Sequence, residues 1–482
     1  MYVKEPLQNV KSRRIFMKFT KIALAAVLAT TTVMSLVGCG GGNGGTSSTD
    51  MPSESMSSDM QNIIADAAKS LPEMNLANKE IKWLCWDAGW NYSTETPEGK
   101  LFAEAYGGSV TTETCSYDDR YVVLAQRVST NSSPDIFPFE RDNYPKGVIS
   151  NMYAPIDDLI DLNSDMWAGT KELMDKFVWG GKHYVCLPYA SKGEFLVYNY
   201  DTIEAEGFDD PWELFTQDKW TWTEFKDMLV KYSDPDNDKY GLGGWWPEEG
   251  VIATTGKPFV SLEDGQLVNN LKTPEVTRAM NFLGELNKSK CNYTWEKFDW
   301  SKKNINYVAE GKTLFYATGE YDLKGTFCNA KKGGYVENVG IVPYPRDPDA
   351  DAYYQLLGID AHMLVVGAPN PEGVAAWQNV RRASKNDEAT TAQSREEMKT
   401  NYGYDDTLLD KLEKLEDPET FKAVYDFRNG INDELVGTSD EQGPMIELVR
   451  CTFKMGTTWT ENLEANYNTV QKAIETANAT VK

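Results

Sequence analysis

Histidine is the scarcest ionisable residue of this 482-residue chain, which contains only His183 and His362. Zinc and iron sites ordinarily use several imidazoles, so two histidines far apart in the sequence disfavour a transition-metal carrier. CxxC pairs are missing among the seven cysteines, which excludes zinc ribbons and thioredoxin-like redox motifs. No GxSxG sequence occurs either, so the nucleophile elbow of many hydrolases is absent.

Basic residues are also few, because 48 lysines and arginines stand against 73 aspartates and glutamates, for a formal charge of −25. Six of the basic residues and one of the acidic residues precede Cys39, so the remainder carries −30. This charge argues against nucleic acid as a partner, because phosphate backbones are bound through lysine and arginine. It also argues against a body that lies flat on anionic lipid, and it favours a soluble body.

Long apolar runs are absent except near the N-terminus, where one extends over residues 22–34. Lys18 and Lys21 precede this run, and it leads into Leu36-Val37-Gly38-Cys39 and then a segment rich in glycine and serine. This order resembles a bacterial lipoprotein signal, which implies cleavage before Cys39, lipidation of its thiol and a position on the outer face of the cytoplasmic membrane. The alternative is an uncleaved membrane helix, but the run is shorter than the ~20 residues needed to span a bilayer.

The lipoprotein interpretation divides the N-terminal part of the chain in two. Residues 1–38 are the expected signal peptide, whose true start is Met17 if the first 16 residues are not translated. Residues 39–58 are the expected lipidated linker, and their glycine, serine and threonine content is typical of a flexible tether.

Six further cysteines follow at wide spacings. An even number outside the cytoplasm permits disulfides. Three of them lie in apolar, strand-like runs, where a free thiol packs as a small hydrophobe. Both interpretations stay open for Cys85, Cys115, Cys186, Cys291, Cys328 and Cys451.

Strand-like and helix-like segments alternate through the rest of the chain. Residues 81–86, 109–115 and 133–139 have apolar strand character, and helical patterns lie between them over 97–105 and 118–130. This spacing predicts right-handed βαβ units, a parallel sheet and an α/β class. The chain is too long for one compact core, so we expect two lobes.

An ordered set of motifs resembles one family. It begins with GKHYVCLPY at 181–189, VYNYD at 197–201 and TWTEF at 221–225. It continues with residues 310–319, GIVPYP at 340–345 and PNPEGVAAW at 369–377. Together with the lipoprotein signal, these motifs resemble extracellular solute-binding protein family 1, the substrate-binding lipoproteins of sugar ABC transporters.

The resemblance implies a two-lobe type II periplasmic-binding-protein fold with a hinge and a ligand cleft between the lobes. Lobe 1 is expected over 59–188 and 346–410, and lobe 2 over 189–345 and 411–482. The chain would cross between them near Tyr189–Gly193 and Val342–Pro345. The implied function is capture of a saccharide, favoured to be an oligosaccharide, by lobe closure and its delivery to ABC permease subunits. The resemblance implies no cofactor, and we expect a monomer.

Aromatic residues are plentiful, with 14 tryptophans and 25 tyrosines. Their rings can stack on the C–H faces of sugars, and neighbouring charged groups can bind sugar hydroxyls. Aromatic and charged residues adjoin at several predicted strand ends, where α/β sheets bind their ligands. The ligand-binding candidates are Trp86, Asp87, Trp90, Glu140, Arg141, Tyr189, Trp245, Trp246, Glu320, Tyr321, Asp322 and Asp360.

Trp245-Trp246 is the favoured pair among these candidates, because Gly243-Gly244 before it and Pro247 after it mark a loop. Two adjacent tryptophans in a loop lack an obvious core partner. The alternative for every candidate is an ordinary packing role, since most tryptophans and tyrosines pack in cores.

Two binding motifs are weaker. Asp234, Asp236 and Asp238 occupy positions one, three and five of a calcium-loop pattern. Lys239 replaces the glycine at position six and Trp245 the glutamate at position twelve, so an acidic turn is favoured over a calcium site. The stretch at 311–313 lacks the first glycine of a phosphate loop, because residue 306 is asparagine.

Two alternative functions stay open at this stage. A surface glycan hydrolase or lyase could use a carboxylate pair such as Glu140 and Glu320 as acid and base. A surface sensor or scaffold could bind glycan without transporting it, and its sequence would share the same features.

Overall fold

The computed structural model describes residues 64–86, 96–187, 193–293, 306–324, 338–386, 388–437 and 442–481. The strands are β1 (Glu80–Cys85), β2 (Ser109–Thr114), β3 (Ile136–Pro138), β4 (Val178–Trp179), β5 (Lys182–His183), β6 (Val185–Cys186), β7 (Phe195–Asn199), β8 (Tyr240–Gly244), β9 (Val260–Glu263), β10 (Gln266–Asn269), β11 (Thr313–Thr318), β12 (Val339–Val342), β13 (Tyr353–Leu356), β14 (His362–Leu364) and β15 (Phe421–Val424). The first half of the helices comprises α1 (residues 64–68), α2 (Pro97–Tyr106), α3 (Arg120–Ser129), α4 (Lys146–Ile149), α5 (Asp165–Asp175), α6 (Tyr200–Ala205), α7 (Pro211–Thr216), α8 (Trp222–Tyr232) and α9 (Pro247–Ala253). The second half comprises α10 (Pro274–Lys288), α11 (Asn306–Ala309), α12 (Glu320–Asp322), α13 (Pro371–Asn386), α14 (Glu388–Tyr402), α15 (Asp406–Lys414), α16 (Asp433–Val436), α17 (Pro444–Arg450) and α18 (Trp459–Asn478).

A five-stranded sheet in the order β2-β1-β3-β14-β6 forms the core of one lobe. The run EIKWLC makes β1 a buried strand, in which Ile81, Leu84 and Cys85 have almost no exposed surface. Helices α2 and α13 pack beside β1 and β2, and their rings Phe102 and Trp377 meet edge to face. β1 is parallel to β2 and β3, whereas β14 is antiparallel to β3 and β6. The expectation of a parallel sheet was therefore wrong for β14, which returns from a distant part of the chain in the opposite direction.

A four-stranded sheet in the order β12-β7-β11-β8 forms the core of the other lobe. β11 is parallel to β8, and β7 is antiparallel to both β11 and β12. All six residues of β11 (TLFYAT) are buried, which is typical of a central strand covered on both faces. Helix α8 packs beside β8, and α7 and α15 pack beside β12.

The residues directly after β15 contact elements of both lobes. β15 and β13 form a two-stranded parallel sheet apart from the two larger sheets. The rings of Tyr425 and Phe427 lie 4.9 and 5.6 Å from the ring of Phe177, in the first lobe. Asp426, between them, accepts a hydrogen bond from the backbone N–H of Phe259 at 3.0 Å, in the second. Apolar and polar side chains of one short segment thus tie the two lobes together.

The lobe boundaries expected from the sequence stay a prediction. Residues 188–192, which contain most of the first expected crossing, lie outside the described residues. The second expected crossing directly follows β12, which ends at Val342, and Tyr344 is buried there. The boundary expected at residue 410 falls inside α15.

Five cysteines lie in the described residues, and four of them, Cys115, Cys186, Cys291 and Cys451, are free thiols. All but Cys115 are buried, which agrees with the packing interpretation at those positions. Cys328 lies outside the described residues, as do the signal peptide, Cys39 and the linker, so lipidation stays a prediction. No helix in the described ranges is long and apolar enough to cross a membrane.

Candidate functional site

A cavity of about 630 Å³ lies where strands of both large sheets end. Arg141 reaches it from the segment after β3, whereas Gly319, Glu320 and Tyr321 reach it from the end of β11. The remaining lining residues are Glu98, Gly193, Glu194, Lys324, Leu356, Leu357, Gly358, Ile359, Asp360, Ser384, Thr391, Ser394, Met398 and Glu416. The carboxyl ends of strands are the usual ligand-binding edge of α/β sheets, and the volume suits a small ligand.

Arg141 forms an ion pair with Glu249 of α9, the helix that follows β8 of the other sheet. Its Nη1 donates to Glu249 Oε2 at 2.6 Å. The other carboxylate oxygen, Oε1, lies 2.6 Å from Nη2 of Arg428. Burial opposes ionisation of Glu249, but the two guanidinium groups outweigh it and hold the pKa of Glu249 below its usual value. The nearby Glu249 carboxylate in turn raises the pKa of Arg141, so both partners stay charged.

The two adjacent tryptophans after β8 have different surroundings. Trp245 packs against the core, and its Nε1 donates to Asp322 Oδ2 at 2.7 Å. Thr318 Oγ1 donates to the same oxygen at 2.7 Å, so this tryptophan is held in place. The ring of Trp246 lies 5.3 Å from the guanidinium carbon of Arg141, within cation–π range. Of the two rings, Trp246 is therefore the one beside a cavity-lining residue.

A second aromatic group lies around Arg120, near the ends of β1 and β3. The guanidinium carbon of Arg120 is 3.7 Å from the ring centroid of Tyr117, 4.3 Å from that of Tyr121 and 5.4 Å from that of Trp86. Its Nη2 donates to Asp142 at 2.8 Å, and the Tyr121 hydroxyl donates to the same carboxylate. Tyr117 is 53% exposed, so this group offers one open aromatic face to a ligand.

Two acidic side chains, Glu194 and Glu140, lie close enough to Arg141 to feel its charge. Glu194 lines the cavity, and its Oε2 is buried with no hydrogen-bond partner in the described part of the chain. Burial and the neighbouring Glu249 raise the pKa of Glu194. Glu140 precedes Arg141 in the chain, and burial, with a smaller effect of Asp142, raises its pKa to about 7. Because their pKa values are raised, both acidic groups carry a proton for part of the time near neutral pH, so they are suited both to donate hydrogen bonds to ligand hydroxyls and to accept hydrogen bonds from them.

The other sequence candidates are distributed as follows. Glu320 lines the cavity and pairs with Lys324 at 3.0 Å. Asp360 also lines it and lies 3.0 Å from the buried Arg381. Tyr321, 52% exposed, is an open ring on the cavity wall, whereas Asp322 supports Trp245 instead. The structure thus brings Arg141, Glu320, Tyr321 and Asp360 together on one cavity. Asp87, Trp90 and Tyr189 lie outside the described residues.

Sequence reasoning missed Glu194, Glu249, Arg120 and Tyr117. Glu249 is three residues beyond Trp246, so its position next to a favoured loop was an available signal. Glu194 directly follows the expected crossing, which was a second signal. Arg120 is the first residue of α3 and Tyr117 lies in the turn before it, where no sequence pattern distinguished them from ordinary surface residues.

The turn at Asp234–Asp238 does not have the arrangement of a calcium loop. Asp234 Oδ2 accepts a hydrogen bond from Asn237 at 2.7 Å, and Asp238 has a left-handed φ of 59°. Over the described ranges, no three histidine, cysteine, aspartate or glutamate side chains are grouped so as to hold a metal, and Asp236 belongs to no such group. These contacts fit an acidic turn, and calcium binding stays an untested expectation.

Several known proteins are similar to this chain. A maltotriose-binding protein of Pyrococcus abyssi is 23% identical over 323 residues, which are 64% of this chain and 62%, less than two thirds, of that protein. An ABC transporter solute-binding protein of Thermotoga lettingae, solved with alpha-D-tagatose, is 18% identical at a TM-score of 0.58, over 82% of this chain and 100% of that chain. An ABC substrate-binding protein of Listeria monocytogenes, solved with cycloalternan, has the same TM-score at 16% identity, over 82% of this chain and 99% of that chain.

The structural likeness shows the fold, which is a mixed α/β fold of two lobes as expected. Residues 100–403 match the family described as bacterial extracellular solute-binding protein. Members of this family bind solutes outside the cell and are not enzymes, so the hydrolase or lyase alternative is set aside. Because the match covers more than half of the chain, this protein belongs to the bacterial extracellular solute-binding protein family.

Proposed function

We propose that this protein captures a saccharide, of oligosaccharide length, in the cavity between its two lobes and delivers it to an ABC importer. The observation that carries the proposal is the composition of the site, where the open ring of Tyr321 and the ring of Trp246 stand near acidic side chains and a guanidinium drawn from both large sheets. The relatives described as binding maltotriose, alpha-D-tagatose and cycloalternan support the same ligand class.

Each part of the site has a distinct task in this proposal. The rings of Trp246 and Tyr321 stack on the C–H faces of sugar rings, while the Glu194 carboxyl group, whose pKa is raised, donates hydrogen bonds to sugar hydroxyls and accepts hydrogen bonds from them. Arg141 donates from the N–H groups that Glu249 leaves unused. Because these groups come from both sheets, a bound saccharide contacts both lobes and favours the closed arrangement.

The cell-surface part of the proposal rests on the N-terminal sequence. Cleavage before Cys39 and attachment of acyl chains would hold the protein as a monomer on the outer face of the membrane, beside the permease subunits. Replacing Cys39 by serine should move the protein from the membrane fraction into the medium and abolish its labelling by radioactive palmitate. Retention of Cys39→Ser in the membrane fraction would contradict lipid anchoring.

Ligand binding is tested by calorimetry and thermal shift on the purified protein. The panel contains maltotriose, maltotetraose and tagatose, with amino acids, a dipeptide and spermidine as other solute classes. A ligand that binds only the folded protein stabilises it and so raises the melting temperature, and this stabilisation grows with the ratio of ligand concentration to Kd. A shift with a saccharide alone supports the proposal. A shift with a peptide or polyamine alone would retain the family and refute the ligand class.

Import and sensing are separated by an uptake measurement. Deletion of the protein from its native cell should abolish uptake of the radiolabelled saccharide if the protein serves an importer. Unchanged uptake together with tight binding would favour the sensor alternative.

A further inference from the structure

The ion pair between Arg141 and Glu249 joins the two lobes at the cavity itself. Arg141 belongs to the segment after β3 of the five-stranded sheet, and Glu249 to the helix after β8 of the four-stranded sheet. The bond is short, at 2.6 Å, and it borders the cavity, because Arg141 lines it. Opening of the lobes would have to separate these two charges.

Glu249 is the fixed partner of the pair. Its Oε1 lies 2.6 Å from Arg428, whose Nη1 donates to Asp426 at 2.6 Å. Asp426 is anchored in turn by the backbone N–H groups of Phe259 and Arg428, both at 3.0 Å. Glu249 therefore sits at the end of a buried series of ion pairs, through Arg428 and Asp426, that is anchored on the backbone of Phe259 in the second lobe.

Arg141 is the movable partner. Its side chain is 35% exposed against 6% for Glu249, so Arg141 can be hydrated where it stands while Glu249 cannot. If the pair separates, Glu249 keeps Arg428 as a counter-charge. Breaking a buried ion pair is costly when it leaves one charge without a counter-charge, and the Arg428 guanidinium prevents this at Glu249. The geometry is that of a releasable contact rather than a permanent one.

We propose that Glu249 is a positioning residue that latches Arg141 across the cleft, so that one ion pair both sets the closed fraction of the unliganded protein and orients the guanidinium that binds ligand. This proposal rests on the proposed function for its ligand-binding half. The other half, in which the ion pair sets the closed fraction of the unliganded protein, requires only two lobes that open and close.

The expected effect of the latch on ligand affinity follows from the fraction of molecules that are in the binding-competent form. When only a fraction of the molecules is in the binding-competent form, the apparent Kd rises in inverse proportion to that fraction. The ring of Trp246 at 5.3 Å from Arg141 adds a second contact that exists only while the guanidinium is held in place. Loss of the latch is therefore expected to weaken saccharide binding roughly tenfold, which is close to the lower end of the measured couplings of close charge pairs.

The test compares Glu249→Gln and Arg141→Gln with Glu285→Gln as the matched control. Glu285 accepts a hydrogen bond from Lys226 at the same distance of 2.6 Å, but this pair joins α8 and α10 of the same lobe. Arg141→Gln leaves the Glu249–Arg428 pair intact, so it stays informative if Glu249→Gln does not fold. The first readout is the radius of gyration of the full chain by small-angle X-ray scattering without ligand, and the second is Kd for maltotriose.

The latch predicts a larger radius of gyration for Glu249→Gln, for Arg141→Gln and for the double variant, to the same extent in all three, and no change for Glu285→Gln. Equal radii for the wild type and Arg141→Gln would overturn the latch whether or not maltotriose binds. A larger radius in a protein that binds no saccharide would retain the latch and refute only the proposed ligand. Binding with a Kd that Arg141→Gln and Glu249→Gln leave unchanged would refute the orienting role of Glu249.

Discussion

The contrast between the neighbouring tryptophans provides a direct check of the site. Trp245 donates a hydrogen bond to the Asp322 carboxylate and packs against the core, whereas Trp246 stands beside Arg141. We expect Trp245→Phe to lower stability and Trp246→Ala to lower affinity. Substitution of Trp245 should thus be detected in a stability assay, and substitution of the adjacent Trp246 in a binding assay.

The magnitudes follow from the contacts. A hydrogen bond to a charged group contributes about 1.5–3 kcal/mol, and the low end applies to Trp245→Phe because Asp322 keeps its bond from Thr318. For Trp246→Ala, the lost cation–π contact with a partly exposed Arg141 is worth about 0.5–1 kcal/mol of stability. If the Trp246 ring stacks on the ligand as proposed, its truncation should cost about 2 kcal/mol of binding energy, which is more than tenfold in Kd.

Urea unfolding without ligand gives the stability of each variant, and calorimetric titration with the saccharide that shifts the wild-type melting temperature gives its affinity. Tyr467→Ala is the control, because this partly buried ring lies on α18 and contacts Lys272 rather than the cavity. The reasoning is refuted if Trp246→Ala destabilises the protein more than Trp245→Phe does. It is also refuted if Trp246→Ala binds the saccharide as tightly as Tyr467→Ala.

Three further outcomes are expected from single residues. Arg278→Met should lower the free energy of unfolding by about 3 kcal/mol, since it removes the Nε–H and Nη2–H groups that now donate to the fully buried Asp347 at 2.9 and 2.6 Å. As a control in the same urea assay, Lys226→Met breaks the exposed pair with Glu285 and should cost less than about 1 kcal/mol. The pKa of Glu140 is raised to about 7 by burial, so the stability that its protonated form contributes is fully present below the unfolded-state pKa and is lost as pH rises through 7. Glu140→Gln cannot ionise and should therefore gain stability relative to wild type between pH 5 and pH 8. A stability difference that does not change with pH would contradict this assignment. Calcium should leave the melting temperature unchanged, because the carboxylates of Asp234, Asp236 and Asp238 form no metal-suited group; a rise that Asp234→Asn abolishes would show the opposite.

Local patterns predicted the secondary structure of the first lobe well. The helix expected over 97–105 is α2 at Pro97–Tyr106, and the strand expected over 109–115 is β2 at Ser109–Thr114. Threonine at the N-cap, proline in the first turn and glycine after Tyr106 are local signals, and Thr96 and Gly107 indeed cap this helix. The direction of β14 was not predictable in this way, because its partners at 136–138 and 185–186 are distant in the chain.

The candidate site was predictable only in part, for the same reason. Arg141 and Trp246 were identified because charged and aromatic residues adjoin at strand ends. Their contact with each other, and the pairing of Arg141 with Glu249, join residues more than 100 positions apart. Periodicity reports which face of an element is apolar, and it does not report which loops converge.

The sequence by itself determined the class of the protein. Alternating strand and helix patterns indicated the α/β class, and the ordered motifs between residues 181 and 377 resemble a family that implies a two-lobe extracellular binding protein, because each of these signals lies in local chain segments. Only the tertiary structure decided which charges meet in the cleft. Glu249 faces Arg141 on one side and Arg428 on the other because three segments converge at one cavity edge. Burial then holds those charges as a network that no local pattern encodes.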